Sequence, residues 1–412
     1  MPRLQWIVSQ IGSRELYACP LSFHRRGCLR LFYTDLWCRH FAGLFHRLPR
    51  PFWGFSHRFN AALPPEKVVS FTAAMFLHDL RHRVTTQAKD NKEVFLGFNE
   101  TGRFFASRVA DQLRRQTLSP ASDAVFAFST GALETIQFAR ERGVFCVVDQ
   151  LDPGRVDDEM VHEETTRWEG WEAFPGRAPD EYYDRLVQEW QTADMIVVNS
   201  EFSRRAIHKQ GAPLDKLLVV PLAYEVEAPV TSKVVPGRDT PLEVLWLGQI
   251  VLRKGIPYLF EAARLLLKEN IRFRVAGRIG ISETAVKSAP ANVQVIGPVV
   301  RKDAITLFRK SDVFVLPTVS EGFALTQIEA MSYGLPVITT PNCGDVVTPG
   351  SDGYIIPIRD PAALAEAILK FHQDRALLQS MADNAIHKSR QFTLDRYART
   401  IEEGALQRRA AK

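Results

Sequence analysis

Apolar and polar positions along this chain fall into two successive series of short apolar runs separated by helical stretches. The first series opens with an apolar run from Leu4 to Gln10 that passes through Ile11-Gly12-Ser13-Arg14 into a helical pattern from Glu15, a strand-turn-helix beginning. Similar runs recur at Leu29 to Tyr33, Glu93 to Phe98, Ala124 to Phe128, Val144 to Val148, Met195 to Val198 and Leu217 to Val220. With helical patterns between most of them, they predict a parallel sheet covered by helices. One stretch, Asp152 to Asp184, breaks the alternation. It is rich in Asp, Glu, Trp and Pro and reads as a long loop with short helices, a type of segment that often carries function.

Between Glu225 and Thr240 the periodicity disappears and Pro, Gly and Thr collect, as at an interdomain connection. A second series then begins. Strands are predicted at 243–247, 272–276, 293–296, 313–316 and 337–339, with helices at 256–268, 303–310 and 325–333. In the helix from 256, Ile256, Leu259, Phe260, Ala263, Leu266 and Leu267 form one apolar stripe facing the sheet. The tail from Asp360 to Lys412 reads as helices. The expected organisation is therefore α/β, with two Rossmann-like doubly wound domains facing a central cleft. An N-terminal domain spans 1–225, a linker 226–240 and a C-terminal domain 241–390, and a final helix at about 391–412 returns to the first domain. Open α/β sheets bind ligands at the carboxyl ends of their strands, so the chemistry is expected in that cleft.

Composition narrows the class only a little. With 46% hydrophobic and 24% charged residues, the 412-residue chain has ample core, which excludes collagen, coiled coil and disorder. The 52 basic and 47 acidic residues leave +5, too small an excess for a nucleic-acid binder. Five scattered cysteines lack zinc-finger spacing and suit a reducing compartment. Without a signal-peptide pattern or a run of about 18 apolar residues, the chain reads as cytoplasmic.

The strongest chemical signal is Ser320-Glu321-Gly322-Phe323-Ala324-Leu325-Thr326-Gln327-Ile328-Glu329, which follows the apolar run DVFVLP directly. A strand that ends in a polar turn and feeds a helix aims the N–H groups of Gly322 to Leu325, and the positive end of the helix, into the cleft, where a phosphate is the natural occupant. Carboxylates at Glu321 and Glu329 suit the vicinal hydroxyls of a sugar and a ribose, although a capping acid and a solvated residue would look the same. In Gly248-Gln249-Ile250-Val251-Leu252-Arg253-Lys254-Gly255, two cations stand at a helix entrance and can neutralise a diphosphate, where a surface pair is the plainer reading.

Taken in order, GQIVLRKGIPYLFEAARLL, FRVAGR, VQVIGPV, SDVFVLPTVSEGFALTQIEAMSYGLPVITT and GSDGYIIPIRDPAALAEAI resemble the nucleotide-binding half of retaining family-4 glycosyltransferases of the GT-B fold (glycosyl transferases group 1). The resemblance covers 241 to about 375, and more loosely 200–225. It implies transfer of a sugar from a nucleotide-diphosphate donor, such as a UDP- or GDP-sugar, to a hydroxyl of a glycan or lipid-linked acceptor. No cofactor beyond that co-substrate is implied.

Roles follow from the resemblance residue by residue. Lys254 and Arg253 hold the diphosphate and stabilise the leaving group, and Glu321 binds hydroxyls of the donor sugar. The backbone of Gly322, Phe323, Ala324 and Leu325 contacts sugar and phosphate, and Glu329 binds the ribose. Gly12 lets the first domain close on the diphosphate. Gly248 and Gln249 belong to the same loop as the cations, and Arg278 and 296–299 flank the base. Two departures stand out. Gln249 occupies a position where the family often has Arg, and the strand VFCVVDQ is followed by no His, so that Asp149 and Asp152 are the acceptor-side candidates. No D-x-D triplet occurs, so no metal site is implied. The family's front-face chemistry, with a phosphate oxygen taking the acceptor proton, would retain configuration.

Residues 23–60 hold seven Arg, four His, ten aromatics and one acid, Asp35. That composition suits an anionic lipid-linked acceptor or peripheral association with the inner membrane face, and equally a core with solvated arginines. The acidic stretch Asp157, Asp158, Glu159, Glu163 and Glu164 reads as a solvated helix, or as a partner of that basic segment. Two other functions fit the motifs: a catalytically silent GT-B fold-mate acting as a binding subunit, and a nucleotide-sugar epimerase. A dehydrogenase is disfavoured, because neither opening strand is followed by G-x-G-x-x-G.

Overall fold

A computed structural model describes residues 3–38, 58–85, 91–172, 176–225 and 229–411. The first half contains strands β1 (Gln5–Gln10), β2 (Leu29–Thr34), β3 (Val68–Ser70), β4 (Asp123–Phe128), β5 (Phe145–Gln150), β6 (Met195–Val198) and β7 (Leu217–Val219). Its helices are α1 (Ala18–Arg25), α2 (Thr72–Thr85), α3 (Asn91–Arg114), α4 (Leu133–Arg140), α5 (Arg155–Arg167), α6 (Asp180–Thr192) and α7 (Glu201–Lys209). The strands pair in parallel in the order β3-β2-β1-β4-β5-β6-β7.

The second half contains β8 (Leu242–Leu247), β9 (Ile271–Ala276), β10 (Val293–Gly297), β11 (Val313–Leu316), β12 (Val337–Thr339) and β13 (Gly353–Ile355). With them come α8 (Ile256–Leu265), α9 (Glu283–Lys287), α10 (Arg301–Lys310), α11 (Leu325–Ser332), α12 (Pro361–Gln373), α13 (Arg375–Ser389) and α14 (Leu394–Ala410). This sheet is also parallel, in the order β10-β9-β8-β11-β12-β13. Both orders reverse beside the first strand, so each half is a Rossmann-like doubly wound sheet with a topological switch point. The fold is α/β of the GT-B type.

Side-chain alternation explains the two-sided sheets. In the first half, Trp6, Val8, Phe126, Phe128 and Val147 face one layer, and Ile7, Val125, Ala127, Cys146 and Val148 face the other, all of them buried. The α14 helix lies on the first layer. Arg26 donates to Glu402 at 2.6 Å, and Gly404 sits against Leu218 and Met195.

Three expectations need correcting. The run from Glu93 to Phe98 is the first part of α3, not a strand: further along, Phe105, Ala106, Val109, Ala110 and Leu113 are buried at helical spacing, and one continuous helix buries them together. The stretch from Asp152 to Asp184 is less of a loop than expected, because it holds all thirteen residues of α5 and the start of α6 at Asp180. Three of its acids, Asp157, Glu163 and Glu164, have their partners in the other half of the chain. In the apolar stripe of α8, Leu267 falls beyond the helix end and is exposed.

The basic segment 23–60 is described at 23–38 and 58–60, and residues 39–57 lie outside the described residues. Within the described part, Arg25 pairs with Glu225, Arg26 with Asp395 and Glu402, Arg30 with Asp123, and Arg58 with Asp35. Phe23, Phe32 and Tyr33 are core. The acidic stretch therefore pairs elsewhere: Glu163 and Glu164 with Arg359, Asp158 and Glu159 with Arg177, and Asp157 with Arg253. No helix among the described residues is long and apolar enough to cross a membrane.

Candidate functional site

The switch point of the second sheet lies between β8 and β11, and the segments leaving these two strands build one site. After β8 the chain makes a 3-10 turn, Leu252–Lys254, before entering α8 through Gly255. Gly255 has φ +72°, and a Cβ there would overlap the Pro317 carbonyl, so the two exits can lie this close only with glycine at 255. Val319 N and Thr318 Oγ1 donate to the Arg253 carbonyl at 2.8 and 3.0 Å, and Arg253 Nη1 donates to the Ser320 carbonyl at 3.0 Å. The main chain thus fixes both cations beside Ser320 and Glu321.

Lys254 Nζ is in direct contact with Glu321 Oε2, and Arg253 Nη1 lies 3.3 Å from the same oxygen. Burial pushes the Glu321 carboxyl up, but Arg253 and Lys254 together outweigh it and hold the group below the usual carboxylate range. Asp157, in the first turn of α5, reaches over from the other half to within 3.8 Å of Arg253 Nη1. Burial pushes Asp157 up to about 6, with Arg253 and the nearby Ser320 hydroxyl pulling it back and Asp152 and Glu321 adding to the rise. Asp157 Oδ1 and Ser320 Oγ are buried without a hydrogen-bond partner. So is Glu321 Oε2, apart from its ion pairs. Orphaned buried polar atoms gathered around two cations mark a place built for a polar ligand.

The other carboxylate, Glu329, lies just over one turn into α11 and is 6% exposed. Its Oε1 accepts from Arg301 Nη1 at 2.6 Å, and the Arg301 guanidinium lies over the Tyr224 ring at 5.7 Å. Arg301 at the start of α10 is a residue that the motifs did not point to, although it directly follows VQVIGPVV. Gln249 and Arg278 are exposed on the rim, and Ile250 N donates to the Arg278 carbonyl at 2.8 Å. Gly248 backs onto Gly277, whose missing Cβ would overlap the Gly248 carbonyl.

Gly322, Phe323, Ala324 and Leu325 lead into α11, which has no side-chain cap at Ala324. Gly322 is needed for a reason the sequence did not show. A Cβ there would lie 2.6 Å from the Leu151 carbonyl at the end of β5 and 2.9 Å from Asn199 Nδ2, so the two halves touch at this glycine. The Phe323 ring is packed edge-on to Phe392 of the tail, 6.3 Å between centroids, leaving only its backbone for a ligand.

On the N-terminal side, Gly12 follows β1 with φ +87°, and its N–H donates to Asp35 Oδ1 at 3.0 Å. Gln10 Nε2 bonds the carbonyls of Gly12 and Arg14. Asp149 is 2% exposed, on the face of β5 turned towards α1. Burial, with Glu15 beside it, raises it well above the usual carboxylate range. Asp152 uses Oδ1 to accept from Gly154 N at 2.8 Å and so shapes the turn into α5. At the end of β5, the residue that abuts the second half is Leu151.

The entrance opposite the second sheet is held by α5 and the turn after it. Arg359 donates to Glu164 and Glu163, each at 2.6 Å, and Tyr258 Oη donates to Glu164 at 2.7 Å. Leu252 N donates to Glu172 at 2.8 Å, and Ser282 N to the Trp171 carbonyl at 2.6 Å. This strap flanks the turn that carries Arg253 and Lys254.

Comparison with known proteins follows the same division. Residues 241–374 match the family Glycosyl transferases group 1. The capsular polysaccharide biosynthesis glycosyltransferase CapM of Staphylococcus aureus is 32% identical over 147 residues, 34% of this chain and 39% of that one. The D-inositol 3-phosphate glycosyltransferase of Xylanimonas cellulosilytica is 29% identical over 252 residues, 54% of this chain and 60% of that one. The chain spans about half the length of the curated relatives it matches. Over nearly the whole chain the fold is similar to that of Anabaena Alr3699/HepE, solved with UDP and glucose. The TM-score is 0.60 at 15% identity, over 97% of this chain and 99% of that one.

Proposed function

We propose that this protein is a glycosyltransferase that moves a sugar from a nucleoside-diphosphate donor to a hydroxyl acceptor in polysaccharide biosynthesis, with retention of configuration. The observation that carries the reading is the placing of Arg253, Lys254 and Glu321 together at the switch point of the second sheet, inside the segment that matches Glycosyl transferases group 1. In this reading Arg253 and Lys254 neutralise the diphosphate and the charge that grows on it as the glycosidic bond breaks. Glu321 accepts hydrogen bonds from hydroxyls of the transferred sugar, and Glu329, oriented by Arg301, accepts those of the ribose. Gly12 and its loop close over the diphosphate from the first half. No side-chain nucleophile is needed: the donor is held with its leaving oxygen towards the cations, and the acceptor hydroxyl attacks from the same face.

A UDP-sugar is the first donor to try, since HepE, of similar fold, was solved with UDP and glucose. The acceptor in this reading is a glycan or a lipid-linked glycan. The test is a panel of UDP- and GDP-sugars assayed for sugar transfer and for hydrolysis without acceptor. Lys254→Ala and Glu321→Ala should each lower kcat by roughly 10²-fold or more. Wild-type turnover in both variants would refute the assignment, and absence of nucleotide binding would refute the donor site.

A further inference from the structure

Arg253 and Lys254 face two carboxylates, Glu321 on their own side of the cleft and Asp157 from the opposite half. Two cations against two anions leave no surplus positive charge for an incoming diphosphate. One carboxylate must therefore give way. Glu321 is the better held, in contact with both cations, whereas Asp157 reaches only Arg253, at 3.8 Å against 3.3 Å for Glu321. Asp157 also sits on a separate body. It is in the first turn of α5, and the anchor that fixes this helix to the second half, Glu164 with Arg359 and Tyr258, lies two turns further on.

We infer that Asp157 is a built-in counter-anion of the donor site, holding Arg253 from across the cleft until the donor's diphosphate displaces it. The inference rests on the donor reading above and adds to it a residue that sets donor affinity. Asp157 and Glu321 balance Arg253 from the two sides of the cleft. The cost is affinity, because a diphosphate entering beside Asp157 meets a like charge and gains Arg253 only by breaking an existing pair. The buried Ser320 Oγ, without a hydrogen-bond partner of its own, is where the displaced carboxylate can turn.

The test is isothermal titration of the full chain with UDP and with GDP. Asp157→Asn, and Asp157→Ser as a second variant should the first fold poorly, should bind whichever nucleotide the wild type binds about three- to tenfold more tightly. Asp157→Glu, which keeps the charge, should bind as the wild type does. In an Arg253→Gln background the Asp157→Asn gain should fall below about twofold, since there is no longer a cation to release. Unchanged or weakened binding in both neutral variants would overturn the inference, as would an equal gain in the Arg253→Gln background. A wild type that binds neither nucleotide is a different result, because it sinks the donor reading itself.

Discussion

Glu164 of α5, fully buried, is held by Arg359 of the other half through Oε1 and Nε at 2.6 Å, and its second oxygen accepts from Tyr258 Oη at 2.7 Å. A buried carboxylate satisfied by two groups from another domain works as a hinge pin: neither domain can leave without exposing an unpaired charge.

Removing one side of that pin should be costly. Arg359→Gln leaves the Glu164 carboxylate buried with only the Tyr258 hydroxyl, and is expected to destabilise the joined domains by about 2–5 kcal/mol. Differential scanning calorimetry checks this. A single melting transition in the wild type should become lower and broader, or divide in two. An unchanged thermogram would show that the strap contributes little to domain contact.

Gly322→Ala should act on domain approach and spare the nucleotide pocket. The added methyl lies 2.6 Å from the Leu151 carbonyl, a distance that backbone cannot tolerate, so the halves must part. Small-angle scattering should show a larger radius of gyration. Sugar transfer should fall by at least tenfold, with UDP or GDP affinity changed by less than about threefold. Equal loss of transfer and of nucleotide binding would mean that Gly322 touches the nucleotide directly.

Glu329→Gln tests the ribose assignment. A carboxylate accepting from ribose hydroxyls contributes about 1.5–3 kcal/mol, so the variant should bind UDP or GDP roughly tenfold more weakly or worse. A nucleotide lacking the ribose hydroxyls should bind the wild type about as weakly as the normal nucleotide binds the variant. If the variant loses affinity equally for both nucleotides, Glu329 is only a partner for Arg301.

The N-terminal loop contains a titrating pair that stability can report. Burial raises Glu15 to about 7, with Arg14 pulling it back, and beside it burial and Glu15 raise Asp149. Between about pH 4.5 and 7 the folded protein therefore holds a proton that the unfolded chain has released. Stability should fall with rising pH over that window. Glu15→Gln should make this fall shallower, read as melting temperature against pH, with Glu189, which burial also raises to about 7, supplying part of what remains. A profile identical to that of the wild type would show that Glu15 does not titrate there.

How much of the site could be read in advance depended on how local its parts are. Arg253, Lys254, Glu321 and Glu329 stand next to strand ends and helix starts, and these connections set the backbone there whatever the rest of the chain does. Gly322 was visible as a glycine at such a turn, but its partners Leu151 and Asn199 lie more than a hundred residues away. Asp149 looked like a cleft residue because it ends an apolar run. Residue parity on β5 turns its side chain under α1, beside Glu15, and Leu151 is the residue that meets Gly322 of the other half.

The two alternating series determined by themselves that there are two parallel sheets, because strand and helix periods are properties of short stretches of chain. The same local rule placed the cations and the two glutamates at the mouth of the second sheet. Charge pairing across the cleft was decided by tertiary structure alone. Asp157 and Glu164 belong to a run of acids that, by composition, is indistinguishable from a solvated helix face. Only the docking of α5 gave those acids Arg253 and Arg359 as neighbours, since Coulomb and hydrogen-bond partners depend on distance in space and leave no period in the chain.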